Sequence, residues 1–234
     1  MTGSMDGKKL VIIGGNSGIG RQLATDAIAA GANVVLAGRN PVAAAESAQL
    51  RTTTVDLADE AAIERFADEV GELDYLVSLA TQRANGPVAE LAKEAMVAAF
   101  DAKVIGPILL AKHFGARIRE GGAMLLFSGV AAWRPEPGRV IMAAANGAVS
   151  FLAQALAVEL APIRVNALSP GIVDSGAWDG LGANKDEFFA GVAARNPARR
   201  VGSSADIAAA ALLALTNPFL TGTTLHVDGG GRLA

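Results

Sequence analysis

The chain has 234 residues, 51% hydrophobic and 18% charged, enough for one large α/β domain that buries most of its apolar surface without staples. It has no cysteine, which excludes disulfides, a thiolate zinc site and a cysteine nucleophile. Its formal charge is −3 and its basic residues are scattered, a poor match to a nucleic-acid backbone.

The N-terminal stretch Met1–Gly7 is short and polar and lacks the charged-then-apolar pattern of a signal peptide. From there, short β-rich apolar runs predict strands at Lys9–Ile13, Asn33–Ala37, Thr52–Val55, Leu73–Leu79, Ala123–Ser128, Ile163–Leu168 and Thr224–Val227. Several are apolar on both parities, as strands covered on both faces must be. Between them the pattern predicts helices near Ile19–Ala30, Asp59–Gly71, Val88–Phe114, Val140–Leu160 and Ala205–Leu215. Such alternation implies a doubly wound, Rossmann-type α/β fold around a parallel sheet. Without a repeat, a low-complexity linker or a shift in composition, residues 1–234 read as a single domain. The uncharged stretch Val140–Val158 is long enough to cross a membrane. Its alanines, together with Asn146, Ser150 and Gln154, fit a helix packed inside a protein better, so the expectation is a soluble, cytoplasmic chain without membrane contact.

The first strand runs directly into Gly14-Gly15-Asn16-Ser17-Gly18-Ile19-Gly20 and then a helix. Glycines at 14, 18 and 20 permit a tight turn, close approach of backbone to a pyrophosphate, and close helix–strand packing. The helix N-terminus presents free N–H groups and a positive dipole end to the phosphates. Strand before and helix after supply the context this motif needs for dinucleotide binding. At the tip of the second strand an acid would hold ribose hydroxyls and select NAD(H), but Gly38 stands there, followed by Arg39. Arg39 is a bidentate donor suited to a 2′-phosphate, which favours NADP(H) over NAD(H); the alternative is a solvated surface arginine. Asp56, after the third strand, is placed either to meet the adenine amino group or to cap the helix that starts near Asp59.

These features, with Arg164-Val165-Asn166-Ala167-Leu168-Ser169-Pro170-Gly171 and Thr221-Gly222-Thr223-Thr224-Leu225-His226-Val227-Asp228-Gly229-Gly230, strongly resemble the short-chain dehydrogenase/reductase family along nearly the whole chain. The resemblance implies a seven-stranded parallel sheet and oxidoreduction of a carbonyl or alcohol. It implies a cofactor site built from Gly14, Asn16, Ser17, Gly18, Ile19, Gly20, Arg39, Asp56, Leu57, Ala80, Pro170, Gly171, Ile172 and Ser175. In that set the nicotinamide lies near Pro170–Ser175, and Ser175 takes the place of a threonine that holds the carboxamide. The resemblance further implies a mobile substrate lid over about 176–200, and a homodimer or homotetramer packed through the helices near Val88–Phe114 and Val140–Leu160.

The family's catalytic tetrad is where this sequence departs. A tyrosine delivers the proton, a lysine four residues later lowers its pKa, a serine polarises the carbonyl and an asparagine organises a water relay. The Tyr-x-x-x-Lys frame falls on Met142 and Asn146, the serine position on Gly129 with Ser128 one residue earlier, and the asparagine position on Lys103. A one-residue shift along a strand would turn Ser128 to the opposite face, unless a loop of different length brings it into register. The family's Asn-Asn-Ala-Gly becomes Ser78-Leu79-Ala80-Thr81, and the single tyrosine, Tyr75, lies inside the fourth strand. Losing a positioned general acid costs about 10²–10⁴-fold in rate. Two roles follow for Lys103: it replaces the missing lysine, with a pKa lowered by burial, or it snorkels or pairs with Asp101 or Asp174. His113 and His226 have no second ligand at metal spacing and read as structural, so no metal is expected. Trp133 lines the pocket mouth or simply packs. Arg199-Arg200 steers an anion or is a solvated pair, and Asp174 and Asp179 flank the lid without the geometry of a dyad. Two functions remain: an NADP(H)-dependent oxidoreductase with a non-standard active site, or a catalytically silent dinucleotide-binding sensor or scaffold.

Overall fold

The computed structural model describes residues 5–15, 18–40 and 47–234. Its strands are β1 (Lys9–Ile13), β2 (Asn33–Gly38), β3 (Leu50–Thr54), β4 (Leu73–Ser78), β5 (Ile118–Phe127), β6 (Arg164–Pro170), β7 (Val173–Asp174), β8 (Gly202–Ser203) and β9 (Thr224–Val227). Seven of them form one parallel sheet in the order β3-β2-β1-β4-β5-β6-β9. The helices are α1 (Gly18–Ala29), α2 (Glu60–Val70), α3 (Lys93–Phe100), α4 (Gly106–Phe114), α5 (Val140–Glu159), α6 (Lys185–Arg195) and α7 (Ser204–Thr216).

Helices cover both faces of the sheet, so strand residues of both parities are buried. Leu10 and Val11 are adjacent and both fully enclosed. One core lies under α2, α4 and α5, where Phe66 and Phe114 meet edge to face at 5.5 Å. The other joins Leu10, Ile12 and Leu36 to Leu23 of α1 and Leu215 of α7. Strand order reverses between β1 and β4, leaving a crevice at their C-terminal ends, which is where ligands bind in such sheets.

One expectation is corrected here. The stretch Val88–Phe114 is not one helix: a 3₁₀ turn at Val88–Glu90 precedes α3, and a π-helical turn, Asp101–Ile105, separates α3 from α4. Pro107 has no N–H to return to the carbonyl of Lys103 four residues earlier, and Gly106 instead reaches back five residues to the carbonyl of Asp101. That wide turn buries Lys103. The segment expected as a lid also carries structure: it contains α6, and β7 pairs with β8 across it.

Helix α5 is the one described helix long and apolar enough to cross a membrane, and 39% of its most apolar window is buried inside the fold. It packs on β5 and β6, and it exposes Phe151 and Val158.

Candidate active site

The turn after β1 favours glycine at two positions. Gly14 has φ of 84° and Gly18 has φ of 51°, in the left-handed region that side chains avoid. A Cβ on Gly14 would also stand 3.1 Å from the backbone nitrogen of Ala80, and one on Gly20 would stand 2.5 Å from Cα of Gly15. Asn16 and Ser17 lie outside the described residues. From Gly14 a cavity of about 370 Å³ runs over the ends of β2 and β3, lined by Arg39, Asp56, Leu57 and Ala80. Arg39 is exposed and makes no ion pair with any described residue. Asp56 does not cap α2: its carboxylate accepts from Ala58 N at 3.0 Å, while Asp59 is the N-cap and accepts from Ala62 N at 3.1 Å. The glycine cradle, the open face at its edge and a guanidinium at the far end fit the pyrophosphate and ribose of a dinucleotide.

Leu79 and Thr81 divide this cavity from a second, of about 330 Å³. Lys103, Ser128, Gly129, Met142 and Asn146 all line the second cavity, together with Ile19, Pro170, Gly171 and Ile172. The tertiary fold thus brings together the residues expected at the tetrad positions. Ser175 lines neither cavity; it packs against Gly18, where an added Cβ would come within 2.9 Å of the Ser175 Cβ.

Lys103 is 6% exposed, and it neither snorkels nor pairs with an acid. Its Nζ donates to the carbonyl of Phe127 at 2.9 Å and, weakly, to that of Ser128 at 3.4 Å. Asp174 is taken by Lys185 at 2.9 Å. Burial without a counter-ion pushes the Lys103 ammonium down to about 8. Of its three N–H donors, two have partners. Asn146 presents a buried Oδ1 with no hydrogen-bond partner. A Cβ on Gly129 would stand 2.9 Å from Asn146 Nδ2, so the amide occupies the space a serine side chain would need. Ser128 is buried, and its hydroxyl is committed to the α5 backbone, donating to the carbonyl of Asn146 at 2.8 Å. Met142 adds a thioether without a titratable proton.

Trp178, Phe188, Val192 and Arg195 of segment 176–200 line this cavity. Trp178 stacks on Phe188 at 4.8 Å, and Arg83 lies 5.6 Å over the Trp178 ring while donating to the carbonyl of Ala177 at 3.0 Å. Lys185 ties Asp174 to Asp179, the latter at 2.7 Å. Arg200 is not a steering group: both its terminal nitrogens engage Asp206, at 2.6 and 2.7 Å. Arg199 donates to the carbonyl of Ala194. Trp133 packs edge-on against His226 at 4.7 Å, and burial lowers the His226 pKa, Arg232 adding to that and Asp228 opposing it. His113 bonds Glu60 at 3.1 Å. Among the described residues no group of three His, Asp or Glu side chains is arranged to hold a metal, and Tyr75 is buried within β4, away from both cavities.

Sequence reasoning missed Arg83, Arg134, Arg139 and Arg195, which also line the second cavity. They come from distant loops and helix ends, and nothing in their spacing signals that they converge.

A family model described as enoyl-(acyl carrier protein) reductase matches residues 13–231. A short-chain dehydrogenase/reductase of an Acremonium species is 30% identical, over 98% of this chain and 97% of its own length. A 3-oxoacyl-[acyl-carrier-protein] reductase of Chlamydia muridarum is also 30% identical, over 95% and 96%. Among solved structures, a small-chain dehydrogenase in complex with NADPH is 32% identical and superposes with a TM-score of 0.83, covering 98% of this chain and 100% of that one. The MalC reductase/Diels–Alderase of Malbranchea aurantiaca reaches a TM-score of 0.91 at 27% identity, with 98% of both chains covered. With the glycine cradle, the seven-stranded sheet and these likenesses together, the chain belongs to the short-chain dehydrogenase/reductase family.

Proposed function

We propose that this family member is an NADP(H)-dependent oxidoreductase acting on a carbonyl or alcohol, with Lys103 replacing the family's missing lysine and exchanging the proton. The observation that carries the reading is a buried lysine without a counter-ion among the described residues, lining a cavity that adjoins the glycine turn after β1. NADP(H) over NAD(H) rests on Arg39, which follows Gly38 where an acid would have held a ribose hydroxyl, and is supported by the relative solved with NADPH. When bound, the nicotinamide supplies or accepts the hydride. The chain's task is then to hold the carbonyl and move one proton. At pH 7 an ammonium of pKa about 8 is about nine-tenths protonated and close enough to neutrality to exchange protons. Phe127 and Ser128 hold its position through their carbonyls, leaving one N–H for a ligand oxygen. Asn146 Oδ1, an acceptor without a partner, is suited to a substrate hydroxyl or a bridging water. Assembly as a homodimer or homotetramer in the cytoplasm belongs to the same reading, supported by the apolar residues α5 leaves uncovered.

A second reading, a catalytically silent dinucleotide-binding sensor or scaffold, is favoured by Met142 and Gly129, which can neither donate a proton nor polarise a carbonyl. Titration with NADPH and NADP⁺, followed by absorbance at the reduced-cofactor band with a panel of aldehydes and ketones, separates the two. Oxidation of NADPH that Lys103→Met abolishes supports the first. Tight binding without turnover supports the second, turnover unchanged in Lys103→Met removes the lysine's role, and failure to bind either nucleotide refutes both.

A further inference from the structure

We infer that the second cavity is built for an organic anion, a compound with a carboxylate head and an apolar body; the inference rests on the oxidoreductase reading for the chemistry, not for the binding. The whole chain carries a charge of −3, yet five cations line this cavity, Lys103, Arg83, Arg134, Arg139 and Arg195, against two acids, Glu136 and Asp228. Neither acid is left for the four cations other than Arg134. Asp228 is held by Arg232, which bonds its two carboxylate oxygens at 3.0 and 3.1 Å. Glu136 lies 3.9 Å from Arg134. Lys103, Arg83, Arg139 and Arg195 are left with no acid in ion-pairing distance among the described residues.

Such an excess is unfavourable in a concave, partly apolar space unless a ligand of opposite charge completes it. Two of the guanidiniums reach this lining from different elements. Arg139 immediately precedes α5, whose N-terminus has no side-chain cap, so the positive end of the helix adds to its charge. Arg195 sits in the last turn of α6 on segment 176–200, so an anion bridging it to Arg139 would also draw that segment onto the cavity. Planar forks of this kind match a carboxylate two bonds at a time. The remaining walls are apolar: Ile19, Met142, Trp178, Phe188 and Val192. Inorganic phosphate has nothing to place against them. The dinucleotide's own phosphates are served by the glycine cradle and Arg39 in the other cavity.

The test is calorimetric titration of 2-oxo-4-phenylbutanoate, its ethyl ester and inorganic phosphate into the protein, with and without NADPH. The keto acid is expected to bind at least tenfold more tightly than the ester or phosphate. Arg139→Gln and Arg195→Gln should each weaken the acid about tenfold while leaving the ester and NADPH unchanged. Neither side chain makes an ion pair among the described residues, so both variants should melt with the parent. Equal affinity for acid and ester overturns the inference, as does equal affinity for acid and phosphate, which would mark a general anion site. Loss of NADPH affinity in the glutamine variants would assign these arginines to the cofactor and overturn it too. Acid binding that persists where NADPH fails to bind would refute the oxidoreductase reading and leave the anion site standing.

Discussion

Replacing Lys103 with methionine is expected to stabilise the fold at neutral pH and to lose that advantage as the solution becomes alkaline. An unfolded lysine titrates near 10.5 and the buried one near 8, a difference equivalent to about 3 kcal/mol of penalty on the charged form. The sign follows from proton counting. Between about 8 and 10.5 the unfolded chain holds the proton and the folded chain does not, so the wild type gains stability as pH rises through that window. Below it the penalty is fully present. Methionine removes the penalty but leaves the carbonyls of Phe127 and Ser128 without their donor, a loss of about 1–2 kcal/mol. The variant should therefore be about 1–2 kcal/mol more stable at pH 7, a rise of a few degrees in melting temperature for a chain of this size. Above pH 10.5 it should be less stable by a similar amount. Urea unfolding followed by tryptophan fluorescence from pH 6.5 to 10.5 measures both limits. A variant destabilised at pH 7 by an amount constant across the range would show that Lys103 is a structural tie and refute the burial argument. A stabilising variant that loses turnover is what a strained functional lysine predicts.

Two further outcomes probe the rest of the site. Arg39→Ala should weaken NADPH about tenfold, the value of one charge-assisted phosphate contact, and leave NADH unchanged in a fluorescence titration; equal loss for both nucleotides would remove the 2′-phosphate assignment. Gly129→Ser places a Cβ 2.9 Å from Asn146 Nδ2 and should cost about 1–3 kcal/mol by overpacking. Combining it with Asn146→Ala should recover most of that cost, whereas additive losses would show that the amide is not what fills the serine position.

The sheet and the cradle were legible in the sequence because their constraints are local. Strands covered on both faces must be apolar at every position, and Leu10-Val11-Ile12-Ile13 announces that without reference to its neighbours. The turn at Gly14 and Gly18 needs φ values that glycine alone adopts cheaply, so residue type reports conformation directly. Pro107 is an equally local signal, but the apolar periodicity of Val88–Phe114 runs across it and masks the helix break that buries Lys103. Between Asp56 and Asp59 the sequence allowed either to cap α2, since three residues of chain leave the helix start open and only the backbone path settles it.

Other properties were decided by tertiary structure. Whether Lys103 snorkels, pairs or lies buried depends on what packs around the π-helical turn, and the answer, two backbone carbonyls from β5 and the residue after it, is 24 and 25 positions away. The coupling of Gly129 to Asn146 is a matter of one side chain filling the space of another across β5 and α5. Most of all, Arg83, Arg139 and Arg195 are unremarkable surface residues in a net-acidic chain until the sheet and segment 176–200 aim them at one cavity. Sequence alone determined the fold and a nucleotide cradle, because backbone torsions and burial periodicity are written in neighbouring residues. The charge of the adjoining pocket was decided only by folding, because electrostatic potential sums over groups that are near in space and distant along the chain.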